Sequence, residues 1–227
     1  MAYAGPPYVT DDPQPTDYQH YEVYFYDGGT AVKGDTTSAA GIDFNYGGAP
    51  NLQLTAVIPV EFDDPADGTS AHGLGNIQLA AKYRFLHAED IGWDVSVFPR
   101  VFLPSATNSV GDRDASVLLP FWVERDWGRW STFGGGGCQL NHGGDATNFC
   151  LFGWVLTRKV IEGLELGAEV YYQGADARGA KASTGLGAGL TYDLTEHLHL
   201  MGSIGPGLQN AAQANLYTWY AALLLTY

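Results

Sequence analysis

Apolar and polar residues alternate along most of this chain. The alternation is cleanest over 74–86, where Ile77, Leu79, Ala81, Tyr83 and Phe85 share one parity and Gln78, Ala80, Lys82 and Arg84 the other. Successive side chains of a strand point to opposite faces, so such a segment has one oily side and one polar side. Over 51–62 the pattern returns, with Leu52, Leu54, Ala56, Ile58, Val60 and Phe62 against Gln53, Thr55, Val57, Pro59 and Glu61. The chain ends on Tyr217, Trp219, Ala221, Leu223, Leu225 and Tyr227, an apolar stripe with aromatics at both ends. An apolar belt flanked by aromatics is the lipid face of a membrane β-barrel strand. A soluble sandwich strand also has period two, but the pattern recurs here through the whole chain.

Alternation and turn residues predict twelve strands, at 18–26, 38–46, 51–62, 74–86, 92–103, 115–124, 129–139, 148–158, 164–173, 183–192, 197–205 and 215–227. Short connections are expected at 47–50, 87–91, 125–129, 159–163 and 193–196, and longer polar ones at 27–37, 63–73, 104–114, 140–147, 174–182 and 206–214. Short turns at one end and long loops at the other are the habit of outer-membrane barrels. The predicted fold is therefore all-β, a single transmembrane antiparallel up-and-down barrel of about 12 strands. Its short turns and both termini are expected in the periplasm and its longer loops outside the cell. Tyr46, Tyr83, Phe85, Trp93, Tyr192 and Tyr227, with Trp127 and Trp130 close by, cluster near the short-turn end as an interfacial girdle would. Pro59, Pro99 and Pro120 each remove a ladder donor, so bulges are expected there. Residues 1–17 are too rich in proline for a central strand and read as an extended arm before a barrel at 18–227.

Composition narrows the partners. The 227 residues include 30 Gly, 14 Tyr, 10 Phe and 6 Trp, and the net charge is -14. That charge excludes a nucleic-acid partner and electrostatic adhesion to anionic lipid. No run approaches the ~18 apolar residues of a membrane helix, which leaves a barrel open. Residues 1–5 lack a basic stretch and an apolar core, and read as a mature start behind an expression methionine. Cys138 and Cys150 flank a polar hairpin loop; they form either a disulfide stapling it or two free thiols, and an even count outside the cytosol favours the bridge.

A strand of ten residues rises about 33 Å, and a tilt of ~45° leaves roughly 23 Å of height, the span of an apolar membrane band. Twelve strands give a backbone diameter of about 24 Å, hence a narrow lumen. The inward parity collects Glu22, Asp43, Glu61, Asp94, Glu124, Glu165 and Glu169 against Lys82, Arg84 and Arg100. Lys82 and Arg84 are placed to meet Glu61 and Asp94 on the neighbouring strands. This set is either a salt-bridged, water-filled interior or a polar track whose excess carboxylates favour cations. Tyr24, Tyr26, Phe98, Trp122 and Tyr171 share the inward parity and either contact an aromatic solute or plug the lumen.

Other chemistry is thin. His197 and His199 share a strand face but lack a third metal ligand, and His72 and His142 lie in separate loops. No Ser–His pair sits at one height on the outer face, and no Gly-x-Ser-x-Gly elbow occurs. The acidic stretches 63–68 and 111–114 lack a calcium-loop signature. Gly134–Gly137 has no Gly-Lys-Ser/Thr after it, so it reads as room for bending or for a bulky neighbour, not as a phosphate loop. No catalytic residue, metal site or cofactor is expected.

The stretch Pro7-Tyr8-Val9-Thr10-Asp11-Asp12-Pro13 resembles the N-terminal signature of the family called "putative MetA-pathway of phenol degradation". Phe44-Asn45-Tyr46-Gly47 with Leu52-Gln53-Leu54, Gly73-Leu74-Gly75-Asn76 running into Lys82-Tyr83-Arg84-Phe85, and Val101-Phe102-Leu103-Pro104 fit its pattern too. Gly75-Asn76 stands where a Gly-Asp is common. The resemblance implies a transporter-like outer-membrane barrel linked to aromatic catabolism, with no catalytic residues. The expected function is an outer-membrane channel or uptake protein for small solutes, with aromatic or hydrophobic compounds the class that the resemblance implies. The alternatives are a barrel plugged by its arm and loops that serves structure or binding, and an outer-membrane enzyme. Expected partners are membrane lipid, a small solute, and the barrel-assembly machinery through the strand ending at Tyr227.

Overall fold

A computed structural model describes residues 7–88, 90–107, 110–111, 114–142 and 144–227. Residues 1–6 of the expected arm, and Asp112 and Arg113 of the second acidic loop, lie outside these. The described residues form one closed antiparallel barrel. β1 (Tyr21–Ala31) pairs with β2 (Asp35–Ala49) and, across the closure, with β14 (Tyr217–Thr226). The seam is tight at its end, where Tyr21 and Tyr227 exchange backbone hydrogen bonds of 2.6 and 2.9 Å.

Fourteen described strands fill twelve positions. β3 (Leu52–Pro65) pairs with both β4 (Ala71–Leu74) and β5 (Gln78–Ala88), which are two halves of the fourth strand. β6 (Trp93–Val97) and β7 (Arg100–Phe102) likewise divide the fifth, between β5 and β8 (Ser116–Trp127). β9 (Trp130–Leu140), β10 (Phe149–Ile161), β11 (Leu164–Gln173), β12 (Ser183–Asp193) and β13 (Leu198–Gln209) complete the wall, with a short helix, α1 (Ala211–Ala214), before β14. The ladder runs further than the alternation suggests. The expected 27–37 connection shrinks to residues 32–34, because β1 and β2 keep pairing out to Ala31 and Thr36. At the other end, Tyr18 and Gln19 leave the antiparallel ladder and bond instead beside Gly47.

The prolines act mainly on one neighbour each. Pro99 interrupts its strand, whereas β3 passes Pro59 in register with β2 and β8 passes Pro120 in register with β9, opposite Gly41 and Gly137; across Pro59 the ladder to the fourth strand slips by one residue, the expected bulge. In an antiparallel ladder a residue's N–H and C=O face the same neighbour. The Pro59 carbonyl accepts from Gly75 N at 2.9 Å, and that of Pro120 accepts from Phe98 N at 3.1 Å. The missing donors thus face the two divided strands, and the break appears in the partner. Ser105 patches the first gap: Ile77 N donates to its hydroxyl at 2.8 Å, and the hydroxyl donates to Gly75 O at 3.0 Å.

Burial is inverted relative to a soluble sandwich. Along β10, Leu151 is 2% exposed and its neighbour Phe152 is 53% exposed. Leu54, Ile58, Leu79, Leu119 and Ile204 face outward in the same way. Tyr21, Tyr83, Phe85, Trp127, Trp130, Tyr192 and Tyr227 are exposed near the short-turn end. An oily belt edged by aromatics suits hydrocarbon bounded by headgroups. Cys138 and Cys150, directly opposite in the β9–β10 ladder, are joined as a disulfide.

Candidate functional site: the lumen and the arm inside it

The chain before β1 turns into the barrel instead of away from it. Thr10, Asp11 and Thr16 are almost wholly buried. From the short-turn end the arm rises past Gln53, whose side-chain carbonyl accepts from Thr16 N at 2.8 Å. Gln14 Nε2 then donates to Glu124 at 3.0 Å. At mid-height Asp11 receives Lys82 Nζ at 3.0 Å and, through its other oxygen, Arg100 Nη2. Lys82 also reaches Gln14 O at 3.2 Å and Asp12 at 3.5 Å. The arm then crosses to the far wall, where Glu169 accepts from Val9 N at 3.2 Å and Thr10 N at 2.6 Å, and Ser203 donates to Pro7 O. A proline-rich segment has few backbone partners of its own, so the wall supplies them.

Small residues make the space. A Cβ on Gly153 would overlap the Thr10 hydroxyl, and one on Gly167 or Gly189 would strike the Tyr8 ring. Tyr8 packs edge-on to Phe133, with ring centroids 6.1 Å apart, beside Val155. Burial, with Glu165 and Glu169 nearby, raises the Tyr8 phenol above its usual range and keeps it neutral. In the glycine run, Gly135 at φ 145° leaves room against the wholly buried Trp122.

The expected inward residues fall into distinct groups. Lys82 and Arg100 flank the Phe98 ring, at 4.9 and 4.3 Å from its centroid, and both turn to the arm. The pairing of Lys82 with Glu61 does not form: the Glu61 carboxyl packs by Gly75, and the arm brings Asp11 and Asp12 closer. Arg84 does meet Asp94, at 3.0 Å, and Asp94 also binds His87. Glu124 accepts from Ser131 as well as from Gln14, and Glu165 shares the inward parity of Glu169. Trp122 and Phe98 join Phe102, Leu118, Phe149 and Leu151 in one apolar cluster; Tyr24 and Tyr26 join Met201, Ala222 and Leu224 in another. The Tyr171 hydroxyl lies 3.1 Å from Thr218 Oγ1 and accepts from Asn215.

Beside the arm lies a cavity of about 1170 Å³. Its lining reaches from Tyr21, His197, Thr226 and Tyr227 at the short-turn end to Asp63, Val110, Gly111 and Ala177 at the long-loop end. Glu22, Asp43, Glu61, Lys82 and Arg100 line it, with Asp11 and Asp12 of the arm. Alternation places Asn45, Gln53 and Tyr220 on the inward parity, but it does not reveal Tyr8, Asp11 or Asp12 as lumen residues. The one available signal is the Asp11-Asp12 pair, the acidic part of an arm that must find partners somewhere.

The two histidines of one strand face have separate roles. His197 stacks on Tyr227, with centroids 5.3 Å apart, while His199 lies between Asp193 at 2.7 Å and Thr226 Oγ1 at 3.2 Å. The N–H groups of Thr226 and Tyr227 donate to His197 O and Tyr21 O, and the Asp193–His199–Thr226 chain links β12, β13 and β14.

The family model described as "Putative MetA-pathway of phenol degradation" matches residues 60–220. The chain belongs to this family. Among solved structures it is similar to an outer-membrane channel from Pseudomonas putida F1, at 13% identity and a TM-score of 0.76, covering 95% of this chain and 98% of that one. It is also similar to the KdgM porin in complex with disordered oligogalacturonate, at 9% identity and a TM-score of 0.59 over 91% of this chain and 98% of that one. The β domain of the Bordetella autotransporter BrkA gives 13% identity and a TM-score of 0.60 over 92% and 99%. No curated protein sequence matches. These likenesses share the fold, that of an outer-membrane β-barrel.

Proposed function

We propose that this protein is an outer-membrane channel that admits small solutes through the passage beside its arm. The reading rests on the cavity of about 1170 Å³ whose lining includes residues from both ends of the barrel. The short turns, the entry of the arm and the end of β14 lie on the periplasmic side, and the strand ending at Tyr227 is the one offered to the assembly machinery. The solute is small and carries apolar or aromatic surface, matching Tyr24, Tyr26 and Phe98 along the lining. Acids outnumber bases there, and Lys82 and Arg100 are engaged by Asp11, so permeation favours cations. No step in this role is catalytic.

Reconstitution into planar bilayers tests it. A small, cation-preferring conductance in KCl is expected, with reversal potential shifted toward that of potassium. Absence of any current or solute flux from folded barrels would remove the reading. The plugged-barrel alternative has its own support in the arm, which Lys82, Arg100 and Glu169 hold across the lumen. It predicts current only after residues 1–17 are deleted.

A further inference from the structure

Outside the lumen, one part of the short-turn rim is basic, in a chain of 25 acids and 11 bases. Along β8 the outward row runs Leu119, Phe121, Val123, Arg125 and Trp127; along β10 it runs Phe152, Trp154, Leu156 and Arg158. Both rows leave the oily belt at an arginine, and Arg129 lies in the turn between β8 and β9. All three arginines are exposed. The Arg125 guanidinium lies over the Trp93 ring, 5.6 Å from its centroid, and that of Arg158 lies over Trp130 at 5.0 Å. Trp127 and Trp130, directly opposite in the β8–β9 ladder, sit between Arg125 and Arg158. Thr132 of β9 pairs with both Arg125 and Leu156, which puts the Arg125 and Arg158 backbones roughly 12 Å apart. Among the described residues none of the three arginines forms an ion pair. Arg129 commits only Nη1, to Val160 O at 3.3 Å. The adjacent acids Glu124 and Asp126 share the opposite, lumen parity.

We propose that this patch binds the headgroup of an anionic phospholipid, such as phosphatidylglycerol, in the periplasmic leaflet. Tryptophans of an interfacial girdle sit at headgroup depth, so guanidiniums resting on them are held at the level of the lipid phosphates. An arginine against a ring face keeps its N–H donors in the guanidinium plane, where they match phosphate oxygens in pairs. Two arginines at that spacing, on flexible stems, reach one headgroup from either side, with Arg129 between them. Phe121 and Leu156, one row further into the belt, meet the acyl chains. Charge decides the lipid class: phosphatidylcholine brings its own ammonium, whereas phosphatidylglycerol supplies the missing anion. Each basic residue near an anionic headgroup favours it about fivefold. The net charge of -14 prevents adhesion by the surface as a whole, not by three uncompensated arginines in one place. The inference goes beyond the channel reading and uses only the orientation proposed with it.

The full chain is reconstituted in phosphatidylcholine bilayers, and brominated phosphatidylglycerol or brominated phosphatidylcholine is added to quench tryptophan fluorescence. Trp127 and Trp130 report contact at the patch. Half-maximal quenching at low salt is expected at about tenfold lower mole fraction of phosphatidylglycerol than of phosphatidylcholine. The variant R125Q/R129Q/R158Q is expected to reduce that preference to about twofold or less, and high salt to do the same in the parent. Heat-modifiable gel migration checks the fold of the variant, and the salt series needs no variant at all. Equal quenching by the two lipids in the parent, or a preference that neither the variant nor salt reduces, overturns the patch. The leaflet is read separately. E162C, in the turn after β10, is expected to react with a membrane-impermeant maleimide only once the outer membrane has been opened. Reaction on intact cells would put the patch in the outer leaflet and overturn the phospholipid assignment. Conductance enters none of these readouts, so the patch and the channel fail independently.

Discussion

Lys82 Nζ lies 3.0 Å from Asp11 Oδ1, and both side chains are almost wholly buried. The two residues are 71 positions apart, one in the barrel wall and the other in the arm that fills it. Arg100 shares the same carboxylate through its second oxygen, and the Phe98 ring lies against both cations. A single arm carboxylate thus bridges two wall cations, with Asp12 3.5 Å from Lys82 as a second counter-charge.

The variant D11N therefore leaves two buried cations short of a counter-charge. Removing one partner of a buried pair costs about 3–5 kcal/mol. The expected result is a displaced arm: larger single-channel conductance, with a shift toward anion passage, and a lower unfolding midpoint in urea. Unchanged conductance with unchanged stability would show that the pairing does not hold the arm.

Glycine on the lumen wall makes a second, uncharged test. Valine at Gly153 would occupy the position of the Thr10 hydroxyl, without touching the outer face of β10. G153V is expected to expel the arm while the barrel keeps its heat-modifiable migration. Limited proteolysis reads this directly, as cleavage between residues 7 and 17 in the variant and protection in the parent.

Orientation of the wall is tested by charge. Leu156 faces outward near the middle of β10, whereas Val155 beside it is wholly buried. Arginine at Leu156 is expected to lower stability in lipid vesicles by about 2–4 kcal/mol, the cost of a midplane cation on the lipid face. An effect near zero in a folded variant would mean that this position is not in hydrocarbon.

The disulfide gives a milder outcome. Cys138 and Cys150 close a loop of sequence separation 12 between strands already paired at that register. The double variant C138S/C150S is expected to fold, with a loss of about 2–4 kcal/mol at most. Its unfolding midpoint with and without reductant should then coincide, while the parent's falls on reduction.

Much of the wall was legible because a barrel strand has a simple code. Leu79 and Tyr83 point out and Gln78 and Lys82 point in, since pleating alternates whatever the neighbours are. Prolines were legible only as missing donors. Which neighbour loses the bond depends on the direction of each N–H, and that placed the breaks in the strands facing Pro59 and Pro120.

The arm illustrates the other limit. Pro6, Pro7, Pro13 and Pro15 exclude a central strand, but nothing in 1–17 states whether the segment lies outside the barrel or within it. Lys82 was expected to pair with Glu61 because adjacent strands were the only contacts the sequence could supply. The nearer carboxylate came from a segment without a ladder.

The sequence by itself determined a closed wall, its lipid face and the side of each residue, because period-two alternation is a local property of extended backbone. Only the tertiary structure decided what fills the interior and which charges meet there. Glu169 capping Val9 and Thr10, and Asp11 joining Lys82 to Arg100, arise from chain entering a cylinder that must first exist. Contacts across a lumen follow no repeat along the chain, so no pattern of residues can announce them.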